Sequence, residues 1–370
     1  MTNTIKFIPL ASPDIKEQDI QEVVDVLKSG MLVQGKKVAE LESNIATYVG
    51  SEFVTAVSNG TATMHLALVG LGIGEGDEVI VPALSYVATA NVVELVGATP
   101  VFVDVEIDSF NIDVSKIEAA ITEKTKAIIP VHEFGLPCDI EAIMKIADAR
   151  NLFVIEDAAC ALGASQNRKY VGTFGDFGSF SLHPRKAISS GEGGLITCQN
   201  EALSKKVQIL RNHGIDMIDG KMEFVAAGFN YRMTDFQAAL VNSQLARLAK
   251  TLSYKNELAT AYQELINNPK IKLPQCPNDR VHTWQTYHVL VDESIDRDTL
   301  IKKLRKKGIG TNYGAQCIPD QIYYKNKYNH NSEIDFPNAY RAYKKGLAIP
   351  LYEKLTRADI SYIAEELNKL

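Results

Sequence analysis

Gly178-Ser-Phe-Ser-Leu-His-Pro-Arg-Lys-Ala-Ile-Ser-Ser-Gly-Glu-Gly-Gly194 runs from a short apolar strand through a basic pair into a turn of small residues. A lysine so placed, Lys186, follows a strand and precedes glycines, whose missing side chains let a flat molecule approach closely. Desolvation beside a second cation favours the nucleophilic form of such an amine, which can then form a Schiff base with a carbonyl. Read alone, Arg185-Lys186 is equally a surface basic pair, and His183 beside Pro184 fits a structural role as readily as a functional one.

Two stretches nearer the amino terminus give this lysine its context. Asn151-Leu-Phe-Val-Ile-Glu-Asp-Ala-Ala159 is an apolar strand ending in acids, which puts Asp157 at the carboxyl edge of a sheet, where α/β proteins bind ligands. A carboxylate there can hold a protonated pyridine nitrogen and so make the ring an electron sink; a helix-capping aspartate is the plainer reading. Ser58-Asn-Gly-Thr-Ala-Thr63 joins a strand to a helix, so its amides and hydroxyls converge on a helix amino terminus that suits phosphate or a simple N-cap. Phosphate cradle, strand-end acid and later lysine, in that chain order, resemble the layout of a fold-type-I pyridoxal-phosphate enzyme.

The flanking pattern supports an α/β fold. Apolar, β-branched runs at 53–57, 78–81, 99–103, 127–131, 152–155, 177–182 and 194–197 predict seven strands. Helical patterns at 61–71, 86–95, 114–121 and 139–150 separate several of them, giving βαβ units and a mostly parallel sheet covered on both faces. The last two runs have no helix between them, so one is expected to pair antiparallel. Helices are also expected at 14–29, with Ile20, Val23, Val24 and Leu27 on one face and Gly30 as its stop, and at 35–48. A long helical pattern at 234–267 leads to a smaller α+β part with a strand at 286–291 and helices at 297–307 and 356–370. The expected division is a large domain over 1–245 and a small one over 246–370.

Composition narrows the function classes. A net charge of −6 without a basic stripe argues against nucleic acid, and the cluster 302–307 reads as a solvated helix face. Five dispersed cysteines without C-x-x-C or metal-ligand spacing suit a reducing compartment and point to no metal site. Residues 1–10 lack the apolar core of a signal peptide, and no apolar stretch is long enough to span a bilayer. The expectation is a cytoplasmic protein.

Taken together, the ordered motifs resemble the DegT/DnrJ/StrS family of nucleotide-sugar aminotransferases over essentially the whole chain. Beyond the stretches above, the resemblance rests on Ile8-Pro-Leu10, Ser29-Gly-Met-Leu-Val-Gln-Gly35, Gly72-Ile-Gly-Glu-Gly-Asp-Glu-Val-Ile-Val-Pro82 and Ala88-Thr-Ala-Asn91. Gly97-Ala-Thr-Pro-Val-Phe-Val-Asp104, Arg211-Asn-His-Gly214 and Gly228-Phe-Asn-Tyr-Arg-Met233 complete it.

The resemblance implies pyridoxal 5'-phosphate as cofactor, with Lys186 as the Schiff-base lysine and Asp157 at the pyridine nitrogen. It implies phosphate contacts from Gly60, Thr61 and Ser181, a ring stacked on the cofactor from Tyr86, and a small supporting side chain from Ala159. Asn230 would reach the phosphate of a neighbouring subunit, which implies a homodimer with shared active sites. His183, His213 and Tyr313 are candidates for the substrate side. Two positions depart from the pattern: Cys160 stands where relatives commonly have glutamine, histidine or glutamate, and Tyr313-Gly-Ala-Gln-Cys-Ile318 replaces a histidine-rich stretch. A thiol is a poor hydrogen-bond partner, so the cofactor contact at position 160 is expected to be weak.

The implied activity is transfer of an amino group from glutamate to a nucleotide-linked 4-keto-6-deoxy sugar, for surface-glycan assembly. Gly228-Phe-Asn-Tyr-Arg-Met233 is similar to the form of C4 enzymes, with C3 amination as the alternative. A deoxygenating dehydratase would carry histidine in place of Lys186, and a non-catalytic regulatory protein would not need the full cofactor set.

Overall fold

The computed structural model describes residues 6–370, so of the amino-terminal stretch 1–10 the first five residues lie outside the described part. Its centre is a seven-stranded sheet of β1 (Phe53–Val57), β2 (Glu78–Pro82), β3 (Thr99–Val103), β4 (Thr125–Ile128), β5 (Phe153–Asp157), β6 (Phe177–Ser181) and β7 (Gly194–Cys198), in the order β1-β7-β6-β5-β4-β2-β3. β7 runs antiparallel to both β1 and β6, as the missing helix before it predicts, and the other neighbouring pairs are parallel. The six parallel strands therefore deliver their carboxyl ends to one edge. Consecutive buried residues such as Val79, Ile80 and Val81 mark a sheet packed on both faces. Each such side chain stabilises the fold by ~1.5–3 kcal/mol.

Helices α1 (Glu17–Ser29), α2 (Lys36–Val49), α3 (Gly60–Leu71), α4 (Ala88–Leu95), α5 (Ile140–Arg150), α6 (Glu201–Arg211), α7 (Asp235–Leu245) and α8 (Leu248–Leu265) pack around it. Gly30 stops α1 with φ of 74°, a left-handed conformation that glycine adopts at little cost. Buried Asp235 caps α2 across the fold: its Oδ1 accepts the N–H groups of Gly35 (2.7 Å) and Val38 (3.0 Å), and its Oδ2 that of Lys37 (3.2 Å). The carboxyl-terminal part builds a second core on β10 (Ile271–Lys272), β11 (Tyr287–Val291) and β12 (Gly346–Ile349), between α8 and the helix Arg357–Asn368. Ile8, from the other end of the chain, packs into that core. The hairpin β8 (Ile215–Ile218) and β9 (Lys221–Phe224) stands out from the body with exposed Met217, Met222 and Phe224.

Several expectations shift. β4 occupies Thr125–Ile128 rather than 127–131, because Pro130 has no N–H to give to a ladder; Val131 makes only an isolated bridge to Asp157. The pattern at 114–121 splits into a 3-10 turn, Val114–Lys116, and the short helix Ile117–Ala120. The pattern at 234–267 divides into α7 and α8 at residues 246–247, where no glycine or proline signals a break. There Arg247 turns to Asp19, with Nη1 to Oδ1 at 2.8 Å and Nη2 to Oδ2 at 2.5 Å. On α1 the expected apolar face is not the buried one: Ile20 and Leu27 are exposed, while Val26 and Asp19 are buried. The helices Ile322–Tyr328 and Pro337–Lys345 and the strand β12 were absent from the sequence-based expectation.

Candidate active site

The site lies at the carboxyl edge of the parallel strands, where β1, β5 and β6 end in Val57, Asp157 and Ser181. α3 opens just beyond β1, with the Asn59 side chain as N-cap accepting the Ala62 N–H at 2.9 Å. The amides of Gly60 and Thr61 remain at the helix tip, the most electropositive part of the helix. Gly60 touches the end of β6: a Cβ there would lie 2.8 Å from Ser181 Cβ and 3.1 Å from its hydroxyl. Any larger residue would push the helix start away from Ser181. Gly194 similarly makes room for the Asn59 carbonyl, which a Cβ would meet at 2.5 Å.

Lys186 sits in the turn after β6, its backbone N–H bonded to the His183 carbonyl at 2.8 Å. Its Nζ lies 3.0 Å from Cys160 Sγ, three residues after Asp157. Burial raises the Cys160 thiol above its ordinary range, and the charge of Lys186 works against that. Asp157 is 5% exposed, and its Oδ2 accepts the Thr89 hydroxyl at 2.8 Å while Oδ1 accepts the Ala159 N–H at 3.2 Å. Burial raises its pKa, opposed by these two hydrogen bonds and by the charge of Lys186. A carboxylate offers about four acceptor sites, so this one keeps capacity for a further donor.

The remaining candidates spread outward from this centre. Tyr86, between the strand Leu84–Ser85 and α4, is 67% exposed. His183 turns to its own backbone: Nδ1 accepts the Arg185 N–H at 3.3 Å, and burial lowers its pKa. His213 is exposed at the root of the β8–β9 hairpin, its N–H bonded to the Phe229 carbonyl at 2.8 Å. Asn230 is exposed and bridges Asn212. Tyr313 packs edge-on against Tyr343 and takes a 3.3 Å hydrogen bond from Gln316. Among the described residues, no hydrogen bond or ion pair joins His213, Asn230 or Tyr313 to Lys186 or Asp157.

Sequence reasoning missed the groups behind Asp157. Thr89 lies in a quoted motif without a role, and Ser85 precedes Tyr86. Glu133 is a buried acid in an otherwise apolar run, 6% exposed. That isolated acid between His132 and Phe134 was the available signal. His132 faces away: Nε2 lies 3.1 Å from Glu156 Oε2, and Nδ1 accepts the Cys138 N–H at 3.2 Å. The accepting Nδ1 fits a ring that donates to Glu156 from Nε2; burial opposes the charged form, yet Cys138 and Glu156 push the His132 pKa up to about 10. Among the described residues no cluster of His, Cys, Asp or Glu could hold a metal ion, and no helix is long and apolar enough to cross a membrane.

The profile of the DegT/DnrJ/EryC1/StrS aminotransferase family matches residues 13–368. An uncharacterized protein of Methanocaldococcus jannaschii, MJ1066, is 38% identical over 98% of this chain and 97% of its own length. The spore coat polysaccharide biosynthesis protein SpsC of Bacillus subtilis is 37% identical over the same shares. The Streptococcus pneumoniae protein Spr1654, described as a sugar aminotransferase and solved in its PMP form, superposes with a TM-score of 0.94 at 32% identity, covering 98% of this chain and 97% of that one. The same protein has been solved in its PLP form.

Pyridoxal 5'-phosphate is the cofactor that goes with this fold and these relatives, and the residues present fit it. An amine, a buried carboxylate with acceptor capacity and a helix tip closed by Ser181 lie at one sheet edge, matching an aldehyde, a ring nitrogen and a phosphate.

Proposed function

The chain belongs to the DegT/DnrJ/EryC1/StrS aminotransferase family, and we propose that it moves an amino group from glutamate to C4 of a nucleotide-linked 4-keto-6-deoxy sugar. The observation that carries the reading is the convergence of Lys186, Asp157 and the Gly60–Ser181 contact on one edge. When bound, pyridoxal phosphate supplies an electron sink for the bonding electrons released when a proton leaves the carbon beside the nitrogen. In this reading Lys186 anchors the cofactor. Displaced by the donor amino acid, its Nζ takes the proton from that carbon and later returns one to the sugar carbon. Asp157 holds the ring nitrogen, the Gly60 and Thr61 amides with the Ser181 hydroxyl hold the phosphate, and Tyr86 and Ala159 cover the two ring faces.

We assign Asn230 to the partner's phosphate in a homodimer, a reading supported by its exposure and by the exposed apolar side chains of Leu27, Met31, Met217, Met222 and Phe224. His183, His213 and Tyr313 are assigned to the substrate side. The division near residue 245, the cytoplasmic location and a place in polysaccharide assembly belong to the same proposal; SpsC, by its name, supports the last. The C4 preference rests on Gly228-Phe-Asn-Tyr-Arg-Met233, where the Phe229 and Tyr231 rings stack at 5.0 Å. Incubation with glutamate and a panel of nucleotide-linked keto sugars, with the new amine located by NMR, tests it. An amine at C3 overturns the regiochemistry, and no transfer from glutamate overturns the donor.

A further inference from the structure

α8 carries a buried lysine for which the roles assigned above have no use. Lys255 is 4% exposed, yet among the described residues its ammonium has no hydrogen-bond acceptor and no acid within 4 Å. Burying a cation without a partner is costly, so such a group either gives up its charge or holds an anion. Burial lowers the pKa of Lys255, and the charge of Glu353 works against that.

Lys255 lines a cavity of about 30 Å³ together with Lys186, Gln244, Arg247, Gln285 and Glu353. Most of these polar groups already have partners. Gln244 Nε2 donates to the Ser189 carbonyl at 2.7 Å, Gln285 Nε2 to the Arg185 carbonyl at 3.0 Å, and Arg247 binds Asp19. Asp14, on the same wall, is paired with Lys16 at 2.9 Å. Half-buried Glu353 has no partner among the described residues, and no ion pair joins it to Lys255. The cavity therefore offers an anion one free, buried ammonium on a wall shared with the cofactor-anchoring lysine.

Space selects the class of anion. One water needs roughly 10–15 Å³ of such room. About 30 Å³ therefore takes two water-sized groups, the two oxygens of a carboxylate but not the four of a phosphate. The reaction assigned above brings a carboxylate to this point, because an α-amino acid carries one on the carbon that bears its nitrogen. When that nitrogen takes the place of the Lys186 amine, the carboxylate is held close beside it. We propose that Lys255 binds the α-carboxylate of the donor amino acid. The keto sugar has no carboxylate to offer, so Lys255 determines specificity for the donor and not for the acceptor. The inference rests on Lys186 as the anchoring lysine of an aminotransferase, and on no particular donor.

α-Methylglutamate tests this without turnover, because its α-carbon has no hydrogen to lose. Its binding to the cofactor-loaded protein, followed by calorimetry, should weaken about ten- to a hundredfold in Lys255→Met, as expected for the loss of one charged hydrogen bond. Methionine matches the buried stem in size, and Lys255→Arg, which keeps the charge, should restore most of the affinity. 4-Aminobutyrate, which lacks the α-carboxylate, should bind wild type and Lys255→Met equally. A lysine that only supported the fold would weaken both ligands together. Unchanged binding of α-methylglutamate in Lys255→Met overturns the assignment and leaves the cavity to water, and so does an equal loss for 4-aminobutyrate. Should wild-type protein bind no glutamate analogue, the donor proposed above fails by itself. The same comparison with 2-aminoisobutyrate against isopropylamine then decides the role of Lys255.

Discussion

Lys186 and Cys160 meet side chain to side chain, with Nζ 3.0 Å from Sγ. The two residues follow adjacent parallel strands, paired through Asp157 and Ser179, so this contact holds the amine beside the acid-bearing strand end. A thiol is a weak acceptor and binds the amine loosely, which suits a group that must alternate between anchoring a cofactor and moving a proton.

Lys186→Ala is expected to abolish turnover and covalent cofactor attachment while leaving the melting temperature nearly unchanged, because the residue lies in a turn outside the sheet. Absorption spectroscopy after adding pyridoxal phosphate checks it. An unchanged band of covalently held cofactor would exclude Lys186 as the anchor.

Asp157→Asn should keep part of its cofactor but lose most activity, since a neutral amide does not stabilise a protonated ring nitrogen. The Thr89 hydroxyl can still donate to the amide oxygen, so the local structure should survive. Steady-state rates on cofactor-saturated protein give the answer, and turnover close to wild type would remove Asp157 from the ring nitrogen.

Glu133 makes stability depend on pH. Its carboxyl has a folded-state pKa of about 8 against an ordinary 4.5, so the folded protein binds more protons in that window, and this contribution falls as pH rises through it. Glu133→Gln removes the slope, so urea unfolding should show the variant gaining on wild type from pH 4.5 to about 8. His282 and His288 act oppositely. Held near 3 against 6.5, they leave the unfolded chain with more protons and erode stability as pH falls below 6.5. A flat difference between Glu133→Gln and wild type would mean that Glu133 ionises freely.

If Asn230 serves the partner's cofactor, Lys186→Ala and Asn230→Ala proteins should complement each other when their subunits exchange. Each mixed dimer then holds one doubly altered site and one intact site. Random exchange of equal amounts makes about half the dimers mixed, so roughly a quarter of wild-type sites return. Asn230→Ala alone should be weak at limiting cofactor, because losing one charge-assisted hydrogen bond costs about 1.5–3 kcal/mol. Activity that only averages the two single variants after proven exchange would place Asn230 in its own subunit's turn.

The amino-acid order by itself determined the scaffold. Each sheet strand is a short apolar run between turn residues, so β1, β3 and the starts of β6 and β7 could be read to the residue, and the antiparallel place of β7 followed from the missing crossover helix. The convergence of Gly60, Asp157, Ser181 and Lys186 was legible for the same reason, since each stands at the carboxyl end of a strand or in the turn that follows it. What periodicity cannot carry is a contact between distant residues. The break between α7 and α8 accompanies Asp19 reaching Arg247 from the first helix, and the amino-terminal cap of α2 comes from Asp235. Ser85 and Thr89 look in the sequence like two small polar residues. Only the crossover that brings the β2–α4 connection beside the end of β5 joins them to Asp157. Tertiary structure raises the pKa of Asp157 and Glu133 because desolvation depends on which groups face one another, which local sequence does not encode.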